Sequence, residues 1–168
     1  IAEATKLGQT GEVRRQIARG LVLLDGKAWT PALDYQHSLV LRAERTVVDT
    51  TAPYTVRLEQ IYRPAIELTP ALAVDVRLMR RGAATGAAAP TLEVVRALGT
   101  FEGMSRDLRE SPFDVDLTVA GVADGPYVLE ATVRDGATTL GTTTLGLVLH
   151  AGLNRQLGAL EAAAATVP

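Results

Sequence analysis

The spacing of apolar residues changes twice along this chain of 168 residues. Between residues 10 and 24 apolar positions recur every three or four residues, which predicts an amphipathic helix. Between residues 39 and 149 apolar and polar positions alternate, which predicts strands that bury one face. Beyond His150 the helical spacing returns. The pattern predicts a mainly β chain, with one antiparallel β-sandwich between an N-terminal and a C-terminal helix.

The first helix is predicted from an apolar stripe on one side of residues 10–24. Thr10 is placed to cap the first turn, and Asp25-Gly26 is a stop signal. The segment Trp29-Thr30-Pro31 then interrupts the pattern. The stripe consists of Val13, Ile17, Leu21 and Leu24.

About seven strands are predicted, because seven alternating runs are separated by turn signals. One solvated face per sheet is typical of antiparallel sandwiches. Residues 82–90, rich in glycine and alanine, predict a mobile loop. The alternating runs are residues 39–48, 56–59, 72–78, 92–96, 113–119, 127–134 and 138–149.

The C-terminal helix carries a second apolar stripe, formed by Leu153, Leu157, Leu160 and Ala164. We expect it to be buried, either on the sandwich or on a neighbouring domain, because exposed leucines are costly. A single domain spanning 1–168 is predicted, with an N-terminal helix and linker (1–30), the sandwich (35–149) and the C-terminal helix (150–168). Because the chain begins at Ile1 and not at Met, we expect it to belong to a longer polypeptide.

Composition excludes several function classes. Apolar residues make up 47 % and charged residues 21 %, which is typical of a globular chain. The net charge is −2, which disfavours nucleic-acid binding. No cysteine is present, so disulfides, thiolate nucleophiles and cysteine-based metal sites are excluded. Fifteen arginines against two lysines indicate a GC-rich bacterial genome; no signal peptide and no membrane span are visible.

The most specific pattern lies in residues 113–136. Asp124-Gly125 leads into a run that opens with Tyr127, and Asp135-Gly136 is a hairpin signal. This region resembles the E–F–G strands of bacterial immunoglobulin-like and fibronectin type III-like domains. The resemblance implies a tyrosine corner, in which the Tyr127 hydroxyl bonds back to the backbone. Leu129 stands where an antibody domain has its second cysteine, so this is a relative without the disulfide.

The whole layout is loosely similar to the accessory domain carried beside the α/β-hydrolase domain of some secreted bacterial esterases and peptidases. This likeness implies a secreted or periplasmic protein.

Nucleophilic catalysis is not predicted. Of the serines Ser38, Ser105 and Ser111, Ser105 lacks the glycine pattern of a hydrolase elbow. On a strand His37 and Ser38 point to opposite faces, and His150 lies at a strand-to-helix junction.

Metal and phosphate sites are weakly indicated. Asp114 and Asp116 predict a solvated strand face, and a calcium site that also uses Asp124 and Asp135 is the less favoured alternative. Residues 136–142 have the glycine spacing of a nucleotide loop but lack its lysine, and favour a strand in which Thr142 and Thr144 share a face.

Trp29, Tyr54 and Tyr62 are the candidates for a sugar-binding platform, against core or rim packing. No catalytic, cofactor or metal residue is assigned. We expect a non-catalytic immunoglobulin-like module that contacts a neighbouring domain or a protein partner, and not an enzyme. A fragment of a secreted serine hydrolase, or a small carbohydrate- or ligand-binding module, is the alternative.

Overall fold

The computed structural model describes residues 10–82 and 91–165. Segment 83–90, the larger part of the predicted mobile loop, lies outside the described residues, as do 1–9 and 166–168. The helices of the described part are α1 (Thr10–Leu24), α2 (Pro31–Ser38) and α3 (Leu153–Ala165). Its strands are β1 (Leu39–Ala43), β2 (Val47–Asp49), β3 (Tyr54–Gln60), β4 (Leu72–Arg81), β5 (Leu92–Glu102), β6 (Phe113–Leu117), β7 (Gly125–Asp135) and β8 (Thr138–His150).

The strands form two sheets that enclose one core. The small sheet has the order β1-β3-β6, and the large sheet has the order β2-β8-β7-β4-β5. All pairs are antiparallel except β2 with β8, which is parallel. Apolar residues at alternate positions of both sheets are buried between them, as the period of two predicts. This core includes Leu41, Val56, Leu58, Val74, Leu78, Val115, Leu129, Val133, Leu147 and Leu149.

The run at residues 39–48, predicted as one strand, is two strands in different sheets. β1 pairs with β3 in the small sheet, whereas β2 pairs with β8 in the large sheet. The polar segment Glu44-Arg45-Thr46 separates them, and the backbone N–H of Val148 donates to the Thr46 carbonyl at 2.8 Å. The chain therefore crosses from one sheet to the other within a few residues, and the described part has eight strands where about seven were expected.

Helix α2 was not predicted. The Thr30 hydroxyl accepts from the backbone N–H of Leu33 at 3.2 Å, and Pro31 occupies the first turn. The helix packs on β8 at Gly141, where an added Cβ would lie 2.7 Å from the Gln36 Cα. A glycine at this position is what allows the helix and the strand to approach so closely.

Helix α1 ends as expected. Gly26 has a φ of +73°, and the Lys27 N–H bonds to the Val22 carbonyl at 3.1 Å, which closes the C-terminus. Its predicted stripe is exposed: Ile17 retains 47 % and Leu24 85 % of its accessible surface. A side of α1 containing Ala18 and Arg15 faces the rest of the chain instead.

An ion pair orients α1 on α2. The Arg15 guanidinium donates to both carboxylate oxygens of the buried Asp34, at 2.8 Å each. Asp34 also accepts from the Ala65 N–H at 2.9 Å, and the Tyr62 hydroxyl donates to the Asp34 carbonyl at 2.9 Å. The hydrogen bond to Asp34 raises the pKa of Arg15. These contacts of Asp34 fix α1 and α2 against the loop after β3.

None of the described helices has the length and apolar character needed to cross a membrane.

Candidate functional site

The candidate nucleophiles and bases lie in separate environments. The Ser38 hydroxyl is buried and donates to the Tyr35 carbonyl at 2.6 Å, while the neighbouring His37 ring stacks on Trp29. Both residues end helix α2 and do not lie on a strand. The Ser105 hydroxyl bonds only to the backbone of Asp107. Among the described residues no hydrogen bond joins a serine to a histidine.

The candidate carboxylates are held by neighbours and not by one another. Asp114 accepts two bonds from Arg57, at 2.7 and 2.9 Å, which lower its pKa, and Asp116 accepts from Thr55. Asp124 accepts from the Ala151 N–H.

Asp135 accepts from the hydroxyl and N–H of Thr69, which lower its pKa. Within residues 10–82 and 91–165 no three acidic or histidine side chains are grouped as metal ligands. Each of the four aspartates therefore contacts a different protein group.

The aromatic candidates are occupied by packing. The Tyr62 ring is buried and covered by Arg15, whose guanidinium lies 5.4 Å from its centroid. The Tyr54 hydroxyl donates to the Arg45 carbonyl at 2.5 Å, and Trp29 stacks on His37 at 5.5 Å. Within the part of the chain that the structure describes, these rings pack against different protein groups and not against one another.

The glycine- and threonine-rich run forms the β7–β8 hairpin and the start of β8, as the strand interpretation predicts. Asp135 pairs with Thr138 across a two-residue turn, and Gly136 has a φ of +57° at its first position. The hydroxyls of Thr132 and Thr142 are 3.2 Å apart on adjacent strands. A phosphate loop would precede a helix, whereas this turn continues into a strand.

The tyrosine corner is present. The Tyr127 hydroxyl donates to the Ala123 carbonyl at 3.0 Å, four residues earlier. It also accepts from the Arg80 guanidinium at 2.7 Å, and that guanidinium lies 5.0 Å from the centroid of the Tyr127 ring. The corner thus fixes one arginine at the end of the large sheet.

A cavity of about 670 Å³ opens beside this corner. Its floor is the outer face of the large sheet, since Val128 alternates with buried Tyr127 and Leu129, and Val148 with buried Leu147 and Leu149. A solvated sheet face is normally polar. The cavity is lined by Thr46, Arg80, Arg81, Asp124, Gly125, Pro126, Tyr127, Val128, Gly146, Leu147 and Val148.

Two arginines at the rim of this cavity lack acidic partners. Neither Arg80 nor Arg81 forms an ion pair with a carboxylate of the described residues. Elsewhere on the same sheet Arg134 holds Asp75 through bonds of 2.6 and 3.0 Å, which lower the pKa of Asp75. The cavity therefore combines an apolar floor with positive charge that the described protein groups do not neutralise.

A second unusual surface is helix α3. No residue of α3 is buried, and Leu157 and Leu160 retain 46 % and 67 % of their accessible surface. Of the two alternatives for its stripe, burial on the sandwich is not what the structure shows, because α3 projects from the end of β8. Burial on a neighbouring domain stays a prediction.

The start of α3 is nevertheless held firmly. The Asp49 carboxylate, buried at the end of β2, accepts from the N–H groups of Gly152 and Asn154 at 3.1 and 2.7 Å. It also accepts from the N–H and hydroxyl of Thr51. These donors hold the pKa of Asp49 well below its ordinary range. An exposed helix is thus attached to the sandwich at a defined point.

The comparisons find structural likeness only. No family model matches the chain, and no curated protein sequence matches it. It is similar to the CARDB domain of a Pyrococcus furiosus protein, solved with di-metal ions, with 15 % identity and a TM-score of 0.37 over 67 % of this chain and 86 % of that one. It is also similar to superoxide reductase (neelaredoxin) from Ignicoccus hospitalis, with 13 % identity and a TM-score of 0.38 over 67 % and 82 % of the two chains.

A third likeness is to an AA10 lytic polysaccharide monooxygenase from Streptomyces lividans, with 15 % identity and a TM-score of 0.40 over 74 % of this chain and 61 % of that one. The predicted fold class, an immunoglobulin-like β-sandwich with flanking helices, is confirmed by the sheet order and the helix positions described above.

The prediction that the chain is not an enzyme is contradicted by these comparisons and is withdrawn. Two of the three structures are enzymes by name, a superoxide reductase and a polysaccharide monooxygenase. Likenesses at this level assign neither activity to this chain.

Proposed function

We propose that this chain is an immunoglobulin-like interaction module that contacts a neighbouring domain or a protein partner through the apolar side of α3. The observation that supports it most is the combination of a helix without buried residues and a tight attachment at its first turn. A helix serving only as a flexible tail needs neither a leucine stripe nor an anchor.

The leucine stripe supplies the energy for such a contact. Leu153, Leu157 and Leu160 lie on one side of α3, because residues three and four apart share a face. Full burial of a leucine side chain is worth about 1.5–3 kcal/mol. Leu157 and Leu160 contribute little of this in the isolated chain, since both are exposed. The remaining free energy is available to a partner.

Helix α1 offers a second apolar surface of the same kind. Ile17, Leu21 and Leu24 are all exposed on it, at 47, 59 and 85 %. The pair formed by Arg15 and Asp34 fixes the opposite contact, so the stripe is held outward. Both ends of the described chain therefore present apolar helix faces away from the core.

The wider setting is part of the same proposal. We place the module in a longer secreted or periplasmic bacterial polypeptide, as the loose likeness to the accessory domains of α/β-hydrolases implies. The contact surface then orients or covers the neighbouring domain. The reading frame that encodes the chain tests this setting: one that encodes only these residues and a signal peptide contradicts it.

Hydrogen–deuterium exchange tests the surface itself. The amides of α3 are compared in the complete encoded polypeptide and in the 168-residue chain, and we expect slower exchange in the longer protein. The double variant Leu157→Glu with Leu160→Glu should remove that protection. The matched control, Ala159→Glu with Ala162→Glu, adds the same charge on the other side of the helix and should keep it. Equal exchange in the longer and shorter proteins contradicts the proposal.

A further inference from the structure

The cavity beside the tyrosine corner has an apolar floor, whereas a solvated sheet face is normally polar. Pro126 and Val128 of β7 and Val148 of β8 all line it, and Val148 retains 45 % of its accessible surface. Farther along the same face the outward residues of these strands are polar, as Thr132 and Thr142 show. The polar alternation therefore fails at one end of the sheet, where the cavity lies.

The charges around the cavity are unbalanced. Arg80 and Arg81 both line it, and Asp124 is its one acidic lining residue. Asp124 is already engaged, since it accepts from the Ala151 N–H at 2.8 Å and its other oxygen lies 3.7 Å from the His150 ring. The lining thus carries a formal excess of one positive charge, which complements a monoanion.

The two arginines are placed differently. The Arg80 guanidinium is fixed by the Tyr127 hydroxyl and ring, so its orientation is set before any ligand arrives. The side chain of Arg81 is exposed and forms no hydrogen bond or ion pair within the described residues. A guanidinium offers a planar pair of N–H donors that matches the two oxygens of a carboxylate.

We infer that this cavity is a binding site for a small amphiphilic carboxylate, an aliphatic or aromatic body bearing one carboxylate group. The body lies on Pro126, Val128 and Val148, and the carboxylate accepts N–H bonds from Arg81 and Arg80. The cavity volume falls within the range of about 300–1,000 Å³ that small-molecule sites occupy. This inference goes beyond the proposed function, because it uses the sheet face and not helix α3.

The head group of the probe separates the contribution of the arginines from that of the apolar floor. Isothermal titration calorimetry of the 168-residue chain is carried out with decanoate and decyltrimethylammonium below their micelle concentrations and with decanol below its solubility limit. Decanoate should bind saturably and about tenfold or more tightly than decanol, as charge-assisted hydrogen bonds require. The cationic amphiphile should bind more weakly than either. Equal affinity for decanoate and decanol overturns the carboxylate assignment.

A variant tests whether Arg81 binds the carboxylate group of decanoate. Arg81→Gln should weaken decanoate binding about tenfold and leave decanol binding unchanged. Arg77→Gln, on the same strand but outside the cavity lining, removes the same charge and is the matched control. The Arg81 side chain forms no hydrogen bond or ion pair within the described residues, so its variant should keep the circular dichroism spectrum and melting temperature of the parent chain. An equal loss of affinity in both variants reduces the effect to general charge and overturns the site.

The location is read independently by NMR. Decanoate should shift the amide signals of Val128 and Val148 in the parent chain, and Val148→Gln should weaken decanoate and decanol alike. Shifts confined to α3, or binding that Leu157→Glu abolishes, place the ligand on the helix stripe and contradict the cavity. Failure of decanoate to bind leaves the α3 exchange experiment unaffected, so the two proposals fail separately.

Discussion

The Tyr127 hydroxyl donates a hydrogen bond of 3.0 Å to the carbonyl of Ala123, closing the corner that precedes β7. Tyr127 is almost fully buried, so water cannot take the place of this hydrogen bond when it is removed. Tyr127→Phe should therefore lower the free energy of unfolding by about 1–3 kcal/mol, since it leaves a carbonyl without its partner. Urea unfolding of the two proteins measures this. A loss below about 0.5 kcal/mol, within ordinary surface variation, means that the ring only packs.

A matched control comes from Tyr35, which is fully buried in α2. Its hydroxyl has no hydrogen-bond partner among the described residues, and burial raises the pKa of the phenol. Because an unpaired buried hydroxyl is unfavourable, Tyr35→Phe should leave the free energy of unfolding unchanged or raise it by up to about 1 kcal/mol. The same urea experiment checks it. A loss comparable to that of Tyr127→Phe points to a water that bonds the Tyr35 hydroxyl.

The features predicted correctly from the sequence are local ones. The corner joins Tyr127 to Ala123, four residues apart, and the β7–β8 turn depends on Gly136, so both are encoded in a few adjacent residues. The period of two identifies most strands because each strand buries one face. Helix α2 was missed because its eight residues are too few to display a helical period, although Thr30-Pro31 is a capping signal.

Features that join distant segments were not predictable. The cavity needs β4, β7 and β8 side by side, and Arg80-Arg81 has no local pattern that marks it as part of a site. The hydrogen bond that holds the start of α3 joins Asp49 to Gly152, which are 103 residues apart. The exposure of the α1 stripe could not be predicted either, because periodicity shows which residues share a face and not what that face contacts.

Substitutions of Arg15 and Asp34 should have strongly coupled effects on the free energy of unfolding. Asp34→Asn removes the buried carboxylate that the partly buried Arg15 guanidinium contacts at 2.8 Å, and should cost about 3 kcal/mol, the lower end for breaking a buried pair. Arg15→Gln should also destabilise the chain, since the buried Asp34 then keeps only the Ala65 N–H and the loop around it. The double variant should lose less than the sum of the two, as measured by thermal unfolding. Additivity within about 0.5 kcal/mol indicates no direct coupling.

The hydrogen bonds to the Asp49 carboxylate make the stability of the folded chain depend on pH with a defined sign. Its folded pKa is lowered by hydrogen bonds from Asn154, Thr51 and Gly152, so the carboxylate form is favoured in the folded chain. Its contribution is fully present above the unfolded pKa of about 3.9 and is lost only as the pH falls through the folded value. By carboxyl NMR, Asp49 should remain ionised at a pH where an ordinary aspartate is half protonated.

Removal of the Asp49 carboxylate should release the start of α3 without unfolding the core. In Asp49→Ala the amides of Gly152 and Asn154 lose their acceptors, so their hydrogen exchange should become faster, while core amides such as that of Leu129 keep their rate. Asp124→Ala is the control, because it removes a nearby carboxylate whose polar partners among the described residues are Ala151 and His150 and not Gly152 or Asn154. If Asp49→Ala leaves exchange at Gly152 and Asn154 unchanged, α3 is held by something other than this carboxylate. Faster exchange in α3 alone establishes Asp49 as the residue that fixes the direction of the exposed helix.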